Sequence, residues 1–263
     1  RSNLAPDWRS GVIGGFFSVV RVAAWTIGLH LREEHTMAKT IPLASHEVRW
    51  SFEGKVNQYE SLQYWFETIA PIQKSPGVGS PVWKGRLDDQ PDVYLLVPGS
   101  DDMGIKWREG ELQIKGRVSS LGTQVFCGRH QGKVERWIKW SYANIPASYK
   151  RLFVAEKETE LVTASVWKTR ALRKVRLDTL TGKAEEVDAK IFIDRGLGFE
   201  LTELEVAGKA YCSLAFEAFP NDSAMDAAFT AVVEAFVDGL TAFDLTAADS
   251  QSYPAFLDGI IAA

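Results

Sequence analysis

Apolar and polar side chains alternate with a period of two through much of residues 46–219, which predicts a series of β-strands. In the first run, HEVRWSFEG, Glu47 and Arg49 share one face, while Val48 and Trp50 share the other. Similar runs follow at 92–97, 104–109, 111–118, 133–142, 164–178, 189–206 and 210–219. Because helical patterns separate few of them, we expect hairpin connections and an antiparallel sheet.

Helical spacing appears on either side of these strands. Residues 56–70 carry apolar side chains at intervals of three and four, and residues 223–240 return to the same pattern after the last strand. The chain closes with the apolar run 252–261, and a cluster of Pro and Gly between residues 71 and 85 predicts a loop. Strands and helices together predict an α+β fold.

The first 36 residues stand apart from the rest. Residues 11–31, GVIGGFFSVVRVAAWTIGLHL, are nearly long enough to cross a bilayer, but Arg21 lies at their centre, where a charge is costly. MAKT at Met37 is typical of an ordinary protein start. Three interpretations remain open: a non-native upstream extension, a membrane anchor, or a packed helix.

Composition narrows the function classes. The 263 residues are 46% apolar and 24% charged, which is typical of a folded protein. A net charge of −4 is too small to indicate a class of binding partner. Two cysteines are too few for a disulfide framework, and four scattered histidines support neither a histidine zinc site nor a Ser-His-Asp triad. No glycine loop of the Walker or dinucleotide type is present. We expect no nucleic-acid partner, a cytoplasmic location, and no stable membrane association of residues 37–263.

Charged side chains fall on one face of each of the middle strands. The members of each set share a face: Lys106 and Arg108; Lys115 and Arg117; Glu135 and Lys139; Lys168, Arg170, Lys174 and Arg176. On a single strand such a face is usually solvated. Repeated on successive strands, it predicts an interior that holds water, ions or a polyanion if the sheet closes into a barrel.

Residues 200–206, ELTELEV, contain three carboxylates in a segment whose other residues predict a buried strand. By period two, Glu203 and Glu205 share one face, and Glu200, Leu204 and Val206 share the other. We expect Glu203 and Glu205 to face the cations of the other strands.

These patterns together resemble the CYTH superfamily, also called the triphosphate tunnel metalloenzymes, which includes thiamine triphosphatases, inorganic triphosphatases and class IV adenylate cyclases. The resemblance covers about residues 45–219. GIKWREGELQIKGR resembles the family's second and third strands, and FELTELEVAGKAYCSLAFEAF resembles its last ones. VERWIKWSY with the closing SYPAF is similar to CYTH-like proteins of cyanobacteria.

The family's first-strand motif, Glu-x-Glu-x-Lys, aligns best with residues 45–49. Glu47 matches, Arg49 keeps the positive charge, and Ser45 replaces the first Glu, which removes one expected metal ligand. For the late acidic strand, Glu203-x-Glu205 is the preferred register. An alignment by Leu-Gly would instead select Glu200 and Thr202.

The resemblance implies an eight-stranded antiparallel closed β-barrel, or triphosphate tunnel, with flanking helices. Residues 37–220 would form the barrel, and residues 221–263 a helical segment packed on it. Glu47, Glu203 and Glu205 would be the catalytic residues and would hold Mg²⁺ or Mn²⁺. The side chains implied to bind phosphate are Arg49, Lys106, Arg108, Lys115, Arg117, Lys139, Lys168 and Arg170.

Two hypotheses for function follow from the resemblance and the charges. The first is metal-dependent hydrolysis of inorganic triphosphate or a nucleoside triphosphate, in which cationic side chains hold the phosphates and the metal polarises the scissile group. The second is a non-catalytic module that binds a polyphosphate or nucleotide, and Ser45 favours it. A structural barrel of unrelated function is the remaining alternative.

Overall fold

Eight antiparallel strands close into a barrel in the computed structural model, which describes residues 38–39, 42–54, 56–84, 90–150, 153, 162–178 and 181–261. The strands are β1 (Ala38–Lys39), β2 (Leu43–Glu53), β3 (Trp83–Lys84), β4 (Asp92–Leu96), β5 (Met103–Arg108), β6 (Glu111–Phe126), β7 (His130–Ala143), β8 (Val162–Leu177), β9 (Ala184–Val187), β10 (Gly196–Val206) and β11 (Lys209–Phe219). The helices are α1 (Val56–Thr68), α2 (Ala147–Lys150), α3 (Ser223–Val237) and α4 (Tyr253–Ile261).

The closed circuit runs β7, β2, β11, β10, β8, β4, β5, β6 and back to β7, with every neighbouring pair antiparallel. The shorter strands lie outside it, since β1 pairs with β7 while β3 and β9 pair with β8. The prediction of an eight-stranded antiparallel closed barrel with flanking helices is therefore confirmed.

The outer face of the barrel carries the main hydrophobic core. Phe199 of β10 and Phe216 of β11 are neighbours in register, and their rings stack with centroids 4.3 Å apart. Phe66 of α1 and Phe236 of α3 pack on Phe199 at 4.6 and 4.7 Å. Because the apolar side chains point outward to the helices, the alternate side chains of the same strands point into the barrel.

Helix α4 closes one end of the barrel from within. Phe256 and Leu257 are buried against inward-facing side chains of β4, β8 and β10, including Val166 and Leu204. At this end the interior is apolar and filled. The polar part of the interior lies beyond it.

Strand β10 begins later than the alternation of residues 189–206 predicted. Residues 189–195 form turns, and the strand starts at Gly196, whose φ is 154°. A Cβ atom at Gly196 would lie 2.0 Å from the carbonyl oxygen of Val175. Only glycine allows the chain to enter the sheet so close to β8. The short strand β9 was not predicted.

A buried ion pair joins helix α1 to the barrel. Arg173 of β8 donates to both carboxylate oxygens of Glu186 of β9, at 2.8 and 2.7 Å, and both side chains are 2% exposed. The same guanidinium donates to the carbonyl oxygens of Phe66 and Ile69, at 2.8 and 2.7 Å. Arg173 thus satisfies acceptors at the end of α1 that the helix itself leaves unpaired.

Within the described residues, none of the helices combines the length and the apolarity needed to cross a membrane. The three interpretations of residues 1–36 fall outside those residues.

We expect Arg173→Met to lower the free energy of unfolding by about 3–5 kcal/mol, because Glu186 remains buried without its cation. Arg176→Met is the matched control, since Arg176 pairs with Glu185 on the same two strands but the two side chains are 50% and 25% exposed. It should change stability little. Urea denaturation of both variants measures the difference, and equal losses would contradict a special role for the buried pair.

Candidate functional site

The barrel encloses a cavity of about 180 Å³ whose wall is mainly charged. Its cationic side chains are Arg49, Lys106, Arg108, Lys115, Lys133, Lys139, Lys168 and Arg170. The carboxylates among them are Glu47, Glu135, Glu200 and Glu217. The structure brings together seven of the eight side chains predicted to bind phosphate, and Lys133 joins them. Their role as phosphate ligands remains a prediction.

Asp92 of β4 sits beneath three of these cations. The side chain is fully buried, and its oxygens lie 3.0 Å from Nζ of Lys168, 3.4 Å from Nζ of Lys106 and 3.2 Å from Nε of Arg108. Burial alone would raise the pKa of Asp92, but Lys168, Lys106 and Arg108 hold it well below its usual range. Asp92 is therefore an ionised counter-charge. Sequence reasoning missed it because a lone acid at the start of an apolar strand gives no pattern.

Lys168 is the most enclosed of the three cations. Its Nζ donates to the hydroxyl oxygen of Tyr94 at 2.7 Å and lies 4.9 and 4.3 Å from the ring centroids of Tyr94 and Tyr253. Burial lowers the pKa of Lys168 to about 8, although the Asp92 carboxylate opposes the shift. A cation held between two tyrosine faces and one acid is positioned for charge recognition.

Glu200 neutralises a second group of cations. Its carboxylate accepts from Nη2 of Arg49 at 3.2 Å and lies 3.5 Å from Nη1 of Arg170. Arg49 also donates to the Ser213 hydroxyl at 3.1 Å. Burial opposes ionisation of Glu200, but Arg49 and Arg170 lower its pKa. Arg170 is 43% exposed on its side chain, so it is the more accessible of the two guanidinium groups.

A third group is built on Lys115. Its Nζ contacts Oε1 of Glu47 and lies 3.5 Å from Oε1 of Glu217, and Ser45 donates its hydroxyl to Glu47 at 2.8 Å. Burial and the nearby Glu217 raise the pKa of Glu47 against the pull of Lys115, whereas Lys115 holds the pKa of Glu217 below its usual value. The two carboxylates therefore share one internal cation.

Arg117 does not line the cavity, contrary to its predicted role. Its guanidinium donates to Glu135 at 2.7 Å and to Asp101 at 2.7 Å. The register of β6 against β7 shifts directly after Arg117, which re-aims the strand at this point. The side chain pairs with these acids at the edge of the charged wall.

The prediction that Glu203 and Glu205 face the cations is wrong. Both side chains point to the outside of the barrel and are exposed, and Glu203 contacts the hydroxyl of Tyr59 on helix α1. The inward face of β10 presents Glu200 and Thr202 instead, which is the register that alignment by Leu-Gly selected. Glu203 and Glu205 therefore cannot hold a metal against a ligand in the cavity.

Three glutamates that the cavity does contain have the right chemistry for a metal but the wrong neighbours. Glu135, Glu47 and Glu217 stand side by side on β7, β2 and β11, and Mg²⁺ or Mn²⁺ prefers such oxygen ligands. However, Lys115 already forms ion pairs with both Glu47 and Glu217, and Arg117 holds Glu135. No three acidic, histidine or cysteine side chains of the described residues are placed to hold a metal ion. As they stand, the residues do not fit one.

Comparison with known proteins gives few matches. No protein-family model matches the chain, and no curated protein does. Among solved structures, the chain is similar to the S. pombe Pct1 RNA triphosphatase in complex with the Spt5 CTD, with 9% sequence identity and a TM-score of 0.34, over 91% of this chain and 92% of that one.

We expect Asp92→Asn to destabilise the protein by about 3–5 kcal/mol near pH 6, because three buried cations lose their counter-charge. The pKa of Lys168 should fall below its value of about 8, since Asp92 no longer opposes the effect of burial. The pKa of Lys168 in the folded variant then lies further below its value in the unfolded chain, so folding is opposed by loss of a proton over a wider pH range. At pH 9 Lys168 is mostly neutral in both folded proteins, so the variant should lose less stability at pH 9 than at pH 6.

Urea unfolding at the two pH values and NMR titration of isotopically methylated lysines would measure these two effects. Glu205→Gln, which removes an exposed carboxylate on the outer face, is the control and should change neither quantity. An Asp92→Asn variant with an unshifted Lys168 titration would contradict the assignment of Asp92 as the counter-charge.

Proposed function

We propose that the cavity binds a triphosphate-bearing small molecule or a polyphosphate chain and that the protein acts as a binding module for this anion. The observation that carries the proposal is the convergence of eight cationic side chains on one enclosed space inside a closed barrel. Even with Asp92 added to the four lining carboxylates, basic side chains outnumber acidic ones there, although burial and Lys168 lower the pKa of Lys106 well below its usual range. A phosphate chain supplies several negative charges close together, and Lys and Arg are the side chains that recognise them.

The size and shape of the cavity favour the phosphate chain itself. Its volume of about 180 Å³ is close to that of cavities that hold one small molecule such as benzene, about 150 Å³. Helix α4 fills the adjoining end of the barrel with Phe256 and Leu257. A group attached to the phosphates, such as a nucleoside, would therefore remain at the open mouth.

Ser45 and Lys115 favour binding over turnover. Ser45 replaces the first acid of the resembled motif and donates its hydroxyl to Glu47. Lys115 engages the acid that remains. One acid that a hydrolase of the resembled type would use is thus absent, and the other is committed to contacts within the protein.

Metal-dependent hydrolysis of inorganic triphosphate or a nucleoside triphosphate is the second candidate. The observation that favours it is the row of Glu135, Glu47 and Glu217 on three adjacent strands, whose oxygens match Mg²⁺ or Mn²⁺. Glu47 would then keep the metal-binding and catalytic role expected from the sequence. Phosphate release from a panel of triphosphates with either ion tests this candidate, and turnover above background would favour it over simple binding.

Isothermal titration with tripolyphosphate tests the primary proposal. We expect the protein to bind it, and Arg170→Ala to weaken binding by about 10- to 100-fold, the usual scale for a charged hydrogen bond. Raising the salt concentration should weaken binding as well.

Arg176→Ala provides the matched control for Arg170→Ala. Arg176 shares a strand face with Arg170 but pairs with Glu185 away from the cavity wall. Binding by this variant should equal that of the wild type. Equal losses for the two variants, or no binding by the wild type, would contradict a phosphate site in the cavity.

A further inference from the structure

Lys115 contacts both of two carboxylates that face each other across neighbouring strands. Glu47 on β2 and Glu217 on β11 are partners in register, and side chains at such positions have Cβ atoms about 4.5–5.5 Å apart. Two carboxylates so close repel each other when both are ionised. Lys115 reaches them from β6, on another part of the barrel wall, and its Nζ lies within 4 Å of both.

The surroundings of Lys115 keep its ammonium group in place. The Nζ atom also lies 5.8 Å from the ring centroid of Trp137, and the side chain is 29% exposed. Glu217 and Glu47 raise the pKa of Lys115 despite the cost of burial. The ammonium therefore stays charged where it bridges the acids.

We infer that Lys115 is a built-in replacement for a divalent cation: the cavity takes up a phosphate chain without Mg²⁺ or Mn²⁺, and Glu47 with Glu217 forms a latent divalent-cation site that becomes available when the side chain of Lys115 is removed. This inference rests on the proposed phosphate binding. It follows from the contacts, because one cation already satisfies both acids and presents the positive charge that a bridging metal would present to a phosphate.

Lys139 gives the cavity a matched control for Lys115. The two lysines are cross-strand partners on β7 and β6, and both line the cavity. Among the described residues, Lys139 forms no close ion pair with a carboxylate, although its charge also lowers the pKa of Glu217. Its removal therefore deletes the same charge without breaking a direct contact to Glu47 or Glu217. Only the loss of Lys115 should create a metal site.

The first experiment uses the full chain and needs no variant. Tripolyphosphate is titrated into the wild type in EDTA, and separately Mn²⁺ alone is titrated at pH 8. We expect tripolyphosphate to bind in EDTA and Mn²⁺ alone to bind weakly. Binding of tripolyphosphate only after Mn²⁺ is added would overturn the inference while leaving phosphate binding intact. Absence of binding with and without Mn²⁺ would instead overturn the proposed function.

The second experiment compares Lys115→Met with Lys139→Met, after thermal unfolding has shown both to be folded. Affinity for Mn²⁺ alone, measured by calorimetry and by the electron paramagnetic resonance signal of free Mn²⁺, should rise at least about tenfold in Lys115→Met. Lys139→Met should raise it much less, because Lys139 acts on Glu217 only at longer range. The double variant Lys115→Met with Glu217→Gln should lose the gain, which would place the metal at the freed pair. A Lys115→Met variant that binds Mn²⁺ no better than Lys139→Met would overturn the inference.

Discussion

Compensation of positive charge inside a closed barrel is the constraint on which the rest of this structure depends. Closure leaves the inward cations with less bulk water to screen them, and their mutual repulsion would oppose folding. Each group therefore has an acid of its own: Asp92 beneath Lys106, Arg108 and Lys168; Glu200 between Arg49 and Arg170; Glu47 and Glu217 around Lys115. The acids allow the cationic cavity to exist before any ligand arrives.

A polar interior requires that the hydrophobic core lie elsewhere. Strand β10 shows how one sequence serves both needs, since its outward residues Phe199 and Leu201 are fully buried beneath the helices. Helices α1 and α3 supply the other half of this core. Arg173 is the exception among the charged residues of β8, because it points outward and ties the end of α1 to the sheet. The helices are thus part of the barrel's stability, not additions to it.

Period-two alternation was enough to predict the eight strands of the barrel, their antiparallel arrangement and the shared faces of the cations. It failed at ELTELEV because both faces of β10 change character along the strand. The inward face passes from Glu200 and Thr202 to Leu204 where α4 fills the barrel, and the outward face passes from Leu201 to the exposed Glu203. Alternation along the strand identifies which residues share a face, but only the positions of the helices decide which face is exposed to water.

The acids that matter most to the cavity were the least visible in the sequence. Asp92 and Glu217 are single acids within apolar runs. Glu217 pairs with Lys115 of β6, and Asp92 pairs with Lys168 of β8 as well as with two cations of the next strand, β5. Their effect on the cations depends on closure of the barrel. Closure lets Lys115 of β6 reach across the interior to Glu47 of β2 and Glu217 of β11. No local pattern encodes a contact of that kind.

The internal ion pairs also bear on which anions the cavity would accept. An entering anion competes with Asp92, Glu200, Glu47 and Glu217 for the cations that these acids already hold. A single small anion meets one group and replaces little of that attraction. A phosphate chain meets several groups at once, and each contact after the first is made within the same complex, where the effective concentration is high. The carboxylates that stabilise the barrel would therefore also favour long, highly charged anions over isolated ones.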